Sequence, residues 1–322
     1  MSTTPDVAVL REGTEGLSMK SYAVALRERL PDQTVELART PRQERNVIGD
    51  ARVVTGITLD PALAETAANL ELFACVFAGT DHLRTDELAA AGVSVTNAAG
   101  VHAPGIAEQS IGSMLVFARR LHEAWRRKGN AEWRHFQSSE FTDSTVTVLG
   151  LGAIGRAVTQ RLAGFEVDTV GIRYTPSKGG PTDEVYGFDD DAIHDALSQS
   201  DYVVVACPLT DRTRGLLGEA EFATMPPNAV LVNAARGEIV DTDALVAALR
   251  SNAIRGAALD VTDPEPLPAD HPLWTLENCL ITPHTGGHTP KHWDRMAEIV
   301  AENVDRLDAG TALVNEVRTP EA

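Results

Sequence analysis

Apolar residues in this chain come in short unbroken runs, separated by stretches with the 3.6-residue period of helices. In the first hundred residues the runs are "VAVL" from 7, "VELA" from 35, "ARVVTGI" from 51, "LFACVFAG" from 72 and "VSVTN" from 93. A continuous apolar run between helical patterns fits a strand buried on both faces of a parallel sheet. The stretch "PGIAEQSIGSMLVFARRLHEAWRRKG", opened by Pro104, then predicts one long helix.

A second series of runs begins at "TVTVLG" (145). It continues with "VDTVGIR" (167), "DYVVVAC" (201), "AVLVNAA" (229), "IRGAALDV" (254) and "CLITPH" (279). Six apolar strands with helical connections predict a doubly wound sheet. A single helical stretch, roughly 289 to 309, closes the chain and is too short to be a domain. It is expected to fold back on the first part. Residues 1–103 with 288–322 then form one domain and residues 104–287 an inserted second one, with a cleft between the lobes and the two crossings as hinge. The expected class is α/β, two doubly wound parallel-sheet lobes. The chain stops soon after the last helix, so no appended regulatory domain is expected.

Composition and charge add to this picture. At 322 residues the chain has room for two ordinary domains. No apolar run approaches the ~18 residues of a membrane span, and the first residues lack a signal peptide's pattern, so a soluble, cytoplasmic protein is expected. Cys75, Cys207 and Cys279 are odd in number and far apart, which implies neither a disulfide framework nor a CxxC metal site. The net charge of -18 argues against a nucleic-acid partner. Lysine occurs only at 20, 128, 178 and 291, against 46 acidic residues. Such an acidic, lysine-poor chain suits concentrated salt, where a Debye length of ~3 Å at 1 M screens self-repulsion. The alternative is an acidic protein from a GC-rich genome.

"VTVLGLGAIGRAVTQRL" carries G-x-G-x-x-G as Gly150, Gly152 and Gly155, between an apolar strand and an amphipathic helix. That context makes it a dinucleotide turn. The first glycine permits the tight turn, the second lets backbone approach a pyrophosphate, and the third lets helix and strand pack closely. Backbone N–H groups at Ala153 and Ile154 would face the phosphate charge. The alternative is a strand-to-helix turn with no ligand.

The next strand should end beside the adenosine ribose, where an acidic residue normally accepts bonds from the hydroxyls. That place, 18 residues after Gly155, holds Arg173. A guanidinium cannot accept those bonds but matches a phosphate. The reading is NADP, with Tyr174, Thr175 and Lys178 adding contacts. NAD remains the alternative, with Arg173 lying over the adenine face.

Three later stretches carry reactive residues at predicted strand ends: "NAARGEIVD" with Arg236, "LDVTDPEPLP" with Asp260 and Glu265, and "ITPHTGGH" with His284. An arginine, a carboxylate and a histidine converging there suit reduction of a 2-keto acid. The arginine can grip the substrate carboxylate, and a histidine beside a carboxylate can deliver a proton to the forming alkoxide. Each residue alone also reads as an ordinary surface or strand-end residue.

With "GLGAIG", "CPLTDRTRGLL", "LVNAARGEIVDTDAL", "GAALDVTDPEPLP" and "ITPHTGG" in hand, the chain resembles the D-isomer-specific 2-hydroxyacid dehydrogenases over nearly its whole length. The resemblance implies a Rossmann cofactor domain inserted into a flavodoxin-like substrate domain, and homodimers. It makes Arg236, Glu265 and His284 the catalytic triad and gives Asp260 to the nicotinamide carboxamide. Further cofactor contacts fall on Cys207, Pro208, Thr210, Ala234, Ala235, Gly286 and Gly287, besides Arg236 and His284. The backbone at Ala78 and Gly79 is implied to bind the substrate carboxylate. Before the long helix this chain departs from the family with "GVHAPG", so His102 is a candidate for the substrate pocket and equally a hinge residue.

Two further readings compete. His284, His288 and His292 are four apart, but Gly286, Gly287 and Pro290 interrupt any helix that would align them, so no metal site is expected. A non-catalytic dinucleotide-sensing protein is the remote alternative. Within enzymes the runners-up are a glyoxylate/hydroxypyruvate reductase and a phosphoglycerate dehydrogenase.

Overall fold

The computed structural model describes residues 5–13 and 17–318. The chain divides into two compact units, residues 1–101 with 289–322, and residues 102–288.

In the first unit the strands are β1 (Val7–Val9), β2 (Val35–Leu37), β3 (Val53–Gly56), β4 (Leu72–Cys75) and β5 (Ser94–Thr96). They pair in parallel, and the chain's last strand, β13 (Glu316–Arg318), joins the edge antiparallel to β5, in the order β13-β5-β4-β3-β1-β2. Strand β13 has no counterpart among the predicted strands. Its three residues carry one apolar side chain, too few for a periodic signal.

Successive side chains of these strands enter two different cores. Val7 and Val9 join Leu72 and Ala74 on one face; Ala8 joins Phe73 and Cys75 on the other. Over the first face lie the helices Met19–Arg29 and His292–Ala309, whose Tyr22 and Trp293 rings stack at 4.5 Å. The closing helical stretch therefore packs on the opening part of the chain. Tyr22 Oη and Thr55 Oγ1 share a hydrogen bond of 2.9 Å, which satisfies two buried hydroxyls.

The second unit holds β6 (Thr145–Leu149), β7 (Asp168–Ile172), β8 (Glu184–Tyr186), β9 (Tyr202–Val205), β10 (Val230–Asn233), β11 (Gly256–Leu259) and β12 (Cys279–Ile281). All pairings are parallel, in the order β12-β11-β10-β9-β6-β7-β8. The predicted six strands become seven. The addition, β8, is an edge strand of sequence EVY with no apolar run to announce it. Strand β9 shows why the central runs read as continuous: Val203 and Val205 enter one core, Tyr202 and Val204 the other, and all four are buried. Each such valine contributes about 1.5–3 kcal/mol relative to an exposed one.

The single long helix predicted from Pro104 onward is two helices. Ala103–Ala118 ends at a turn in which Arg120 has a left-handed φ of 52°, and Leu121–Gly129 follows. The reason lies in what each half buries. The first half sends Ala107, Ile111, Met114 and Phe117 into the core beside Val146, Val158 and Leu162. The second half buries only Glu123, whose carboxylate pairs with both Arg120 and Arg127. The periodicity of residues runs through the break, but the burial changes.

Because every strand of this sheet is parallel, all carboxyl ends lie along one edge. The chain runs from β6 outward to β7 and β8, then returns to β9 on the other side of β6, so order reverses between β6 and β9. Open α/β sheets bind ligands outside such a point. Among the described residues no helix is long and apolar enough to cross a membrane.

Candidate active site

Gly150 follows β6 with a φ of 101°, and a Cβ there would lie 2.8 Å from the backbone N and Cα of Cys207 at the end of β9. Only glycine suits that position. Gly155, in the first turn of the helix Ala153–Leu162, is equally constrained: its Cβ would sit 2.0 Å from the carbonyl oxygen of Gly150. Gly152 is different. Its φ is −76°, and a Cβ would meet nothing within 4 Å. Neither backbone conformation nor packing asks for glycine there, and its side of the turn is open. The helix starting at Ala153 has no side-chain cap, which leaves its N-terminal N–H groups and dipole for an anion. These observations fit a dinucleotide pyrophosphate.

Leu151, inside this turn, is buried against Gly171 of β7 and Gly180, where a Cβ would approach it to 2.6 and 2.4 Å. The loop after β7 is thereby tied to the glycine turn. Arg173 opens that loop, with its backbone N–H on Tyr186 O (3.2 Å) and its Nη1 on Gly179 O (2.5 Å). Tyr174 is exposed and stacks on Phe188 at 4.4 Å. Thr175 precedes the short 3-10 turn Pro176–Lys178. On the other side of β6, Thr213 is fully buried and its hydroxyl donates to Pro208 O (2.7 Å) while accepting from Thr210 N–H (2.7 Å). This residue, absent from the sequence reading, shapes the Cys207–Thr210 segment. Burial pushes the Cys207 thiol up to about 11, so it is neutral and no nucleophile.

At the end of β10, buried Asn233 folds the next turn back: its Oδ1 accepts from Ala235 N–H (3.1 Å) and its Nδ2 donates to Arg236 O (2.9 Å). Ala234 and Ala235 are buried, and Arg236 is exposed. A Cβ on Gly237 would lie 2.1 Å from the Thr262 carbonyl, so the Arg236 turn packs directly on the segment leaving β11. That segment carries Glu265. Its Oε1 is 2.7 Å from Nδ1 of His284, which follows β12, and both side chains are roughly half-exposed.

His284 has a left-handed φ of 49°, an uncommon conformation for a non-glycine residue. Asp260 holds it there. The backbone N–H of His284 donates to Asp260 O at 2.8 Å. The Asp260 carboxylate, 6% exposed, accepts on Oδ1 from Gln109 Nε2 (2.7 Å), Thr282 Oγ1 (2.5 Å) and Thr285 N–H (3.0 Å), and on Oδ2 from Gly286 N–H (2.8 Å). Gln109 also donates to Thr282 Oγ1 at 2.8 Å. Asp260 thus anchors the histidine turn, with one lone pair on Oδ2 left for a further donor. A Cβ on Gly286 would come within 2.8 Å of that oxygen, and one on Gly287 within 3.1 Å of the His102 ring.

The second unit therefore gathers Glu265 and His284 into a bonded pair, with Arg236 on the adjacent strand end and His102 beside Gly287. Ala78 and Gly79 belong to the first unit, in the segment after β4, where Asn97 Nδ2 donates to Ala78 O at 2.6 Å. Among the described residues no group of three or more His, Cys, Asp or Glu side chains could hold a metal ion.

The profile of the "D-isomer specific 2-hydroxyacid dehydrogenase, NAD binding domain" matches residues 111–286, more than half of the chain. The chain belongs to the D-isomer specific 2-hydroxyacid dehydrogenase family. It is an oxidoreductase acting on the CH–OH carbon of 2-hydroxy acids, with a Rossmann-type nucleotide-binding unit. A human glyoxylate reductase/hydroxypyruvate reductase is 37% identical over 249 residues, 75% of each chain. A D-3-phosphoglycerate dehydrogenase of Methanocaldococcus jannaschii is 32% identical over 304 residues, which make up 92% of this chain and 57% of that one. Among solved structures, a family member from Xanthobacter autotrophicus Py2 in complex with NADPH and MES matches with 29% identity. Its TM-score is 0.81, over 98% of both chains.

Proposed function

We propose that this family member is an NADP(H)-dependent reductase of small 2-keto acids, the reverse reaction being oxidation of the D-2-hydroxy acid. The observation that carries the chemistry is the 2.7 Å bond between Glu265 and His284 at the carboxyl edge of the sheet, beside the Arg236 turn. With Nδ1 engaged by the carboxylate, His284 keeps Nε2 for the substrate.

In the reducing direction a bound dihydronicotinamide supplies the hydride that C2 of the keto acid accepts. Arg236 pairs with the substrate carboxylate and orients the carbonyl. His284 gives the Nε2 proton to the oxygen as it becomes an alkoxide, and Glu265 stabilises the imidazolium before that transfer. Asp260 keeps the histidine turn in place and offers its remaining Oδ2 lone pair to the carboxamide. Gly150, Gly152, Ala153, Ile154 and Gly155 hold the pyrophosphate, and Arg173, with Tyr174 and Thr175, the 2′-phosphate of NADP. Residues 102–288 are on this reading the cofactor domain. The other unit is the substrate domain, contributing the backbone at Ala78 and Gly79.

The NADPH complex of the Xanthobacter relative supports NADP, and the human relative's name supports a substrate of glyoxylate or hydroxypyruvate size. We further propose a cytoplasmic homodimer suited to high salt.

The decisive test is oxidation of NADPH and NADH by the purified protein with a panel of 2-keto acids, repeated on Arg173→Asp and His284→Gln. A strong NADPH preference that collapses in Arg173→Asp is expected. His284→Gln should lose about 10²- to 10⁴-fold in kcat while still binding dinucleotide. Preference for NADH in the wild type removes the arginine reading. No oxidation of either cofactor by folded protein makes this a binding protein.

A further inference from the structure

Arg212 sits in the loop after β9 and has no place in the chemistry above. Its guanidinium carbon lies 4.7 Å over the ring of Tyr174 and 5.6 Å over that of Phe188, and Nη2 donates to Phe188 O at 3.1 Å. Phe188, Tyr174 and Arg212 form one stack. The loop that carries Arg212 is held by fully buried Thr213, so the stack is a fixed feature of the end of β7.

Charge bears on this placement. The chain has 46 acidic residues against 28 basic ones, and several surface arginines, among them Arg11, Arg52, Arg84, Arg126 and Arg306, have a carboxylate partner. Among the described residues neither Arg173 nor Arg212 forms an ion pair. Asp189, one residue beyond Phe188, accepts on Oδ1 from Ala192 N–H at 3.1 Å. Two guanidiniums without an ion-pair partner therefore flank one tyrosine, although Asp211, Asp190 and Asp191 are near in the chain. Arg173 is its chain neighbour, within ~3.8 Å between Cα atoms, and Arg212 lies on its ring. Two such cations at one tyrosine, on the loop tied to the glycine turn, suit an anion that arrives from outside.

We propose that Arg212 is a specificity-determining residue, the second guanidinium of the site that reads the 2′-phosphate of NADP. This rests on the NADP reading above. Arg173 approaches from the end of β7 and Arg212 from the opposite side of the switch point, and a phosphate has acceptor oxygens for both. Tyr174 holds the Arg212 fork in plane, so little side-chain freedom is lost on binding.

The test is calorimetric titration of adenosine 2′,5′-bisphosphate and of 5′-AMP into wild type, Arg212→Gln and Arg173→Asp, with thermal midpoints recorded. Arg212→Gln is expected to weaken the bisphosphate about ten-fold, ~1.4 kcal/mol, and to leave 5′-AMP within two-fold. Equal weakening of both ligands makes Arg212 a wall for the adenine and overturns the proposal, as does no change in either. Should Arg212→Gln not fold, the same comparison on Arg212→Lys, which keeps charge but not the fork, decides. A wild type that does not distinguish the two ligands removes the NADP reading itself. A wild type that does, and loses the distinction in Arg173→Asp but not in Arg212→Gln, removes only the present proposal.

Discussion

At His284 a left-handed backbone is held by Asp260, through its carbonyl and through a buried carboxylate that takes the next two N–H groups, and that carboxylate is held by an amide from a helix 151 positions earlier. Gln109 is therefore expected to matter for catalysis without touching substrate. In Gln109→Leu the Asp260 Oδ1 and Thr282 hydroxyl each lose a donor, and a charge-assisted bond is worth about 1.5–3 kcal/mol. We expect kcat to fall about ten-fold with KM for the keto acid little changed; a drop confined to KM would place Gln109 in substrate binding instead. The three glycines of the turn separate just as sharply. Gly155→Ala should lower the melting temperature, because its Cβ has no room beside the Gly150 carbonyl. Gly152→Ala should leave melting unchanged and weaken NADPH binding ten-fold or more, the methyl occupying the space above the turn. Fluorescence titration beside thermal melts checks both; a Gly152→Ala protein that binds normally would sink the pyrophosphate assignment. In the sequence the two residues are the same letter in one motif. Arg236, Glu265 and His284 were legible as candidates because each sits in a local motif. Gln109, Thr213 and Asn233 were not, since a buried amide or hydroxyl in an ordinary helix or loop gives no sign of its partner.

Among elements, the central strands could be read directly, and the edges could not. Strand β8 has only three residues, too few for a periodic signal; Val185 and Tyr186 pack on the cores, and polar bonds fasten its start: Thr169 N–H and Oγ1 both donate to Asp183 Oδ2, at 2.8 and 2.6 Å. These bonds hold the Asp183 carboxyl below its ordinary value near 3.8. A carboxyl depressed in the folded state stabilises fully above that ordinary value and ceases to do so as pH falls through the folded one. The wild type should thus melt above Asp183→Ala at pH 7, and the gap should close as pH drops below about 4. A gap unchanged by pH in thermal melts would mean that the carboxylate contributes nothing. The break at Arg120 was hidden for another reason. Helical periodicity persists on both sides of it, and only the partners of Glu123 reveal that the second half turns away.

For the whole molecule the dominant quantity is charge. With a net charge of -18, mutual repulsion opposes the compact state, and added salt screens it over the ~8 Å to ~3 Å range of Debye lengths from physiological ionic strength to 1 M. Raising KCl from 0.1 to 2 M should increase the melting temperature by several degrees. A flat or falling dependence in differential scanning fluorimetry would favour the GC-rich alternative over adaptation to salt. Aromatic side chains at Trp125 and Trp133 remain exposed among these charges, at 75% and 97%.

Two α/β units, a dinucleotide turn, an arginine where an acid is usual and the family itself all follow from the sequence, because each is written in neighbouring residues. An apolar run buries itself whatever lies far away, and a glycine turn needs only the strand before it and the helix after it. The tertiary structure alone decided that Gln109 reaches Asp260, that Arg212 lies on Tyr174, and that one predicted helix is two. Those are meetings of side chains from distant positions, set by how the strands are ordered in the sheet, and local propensity carries no record of them.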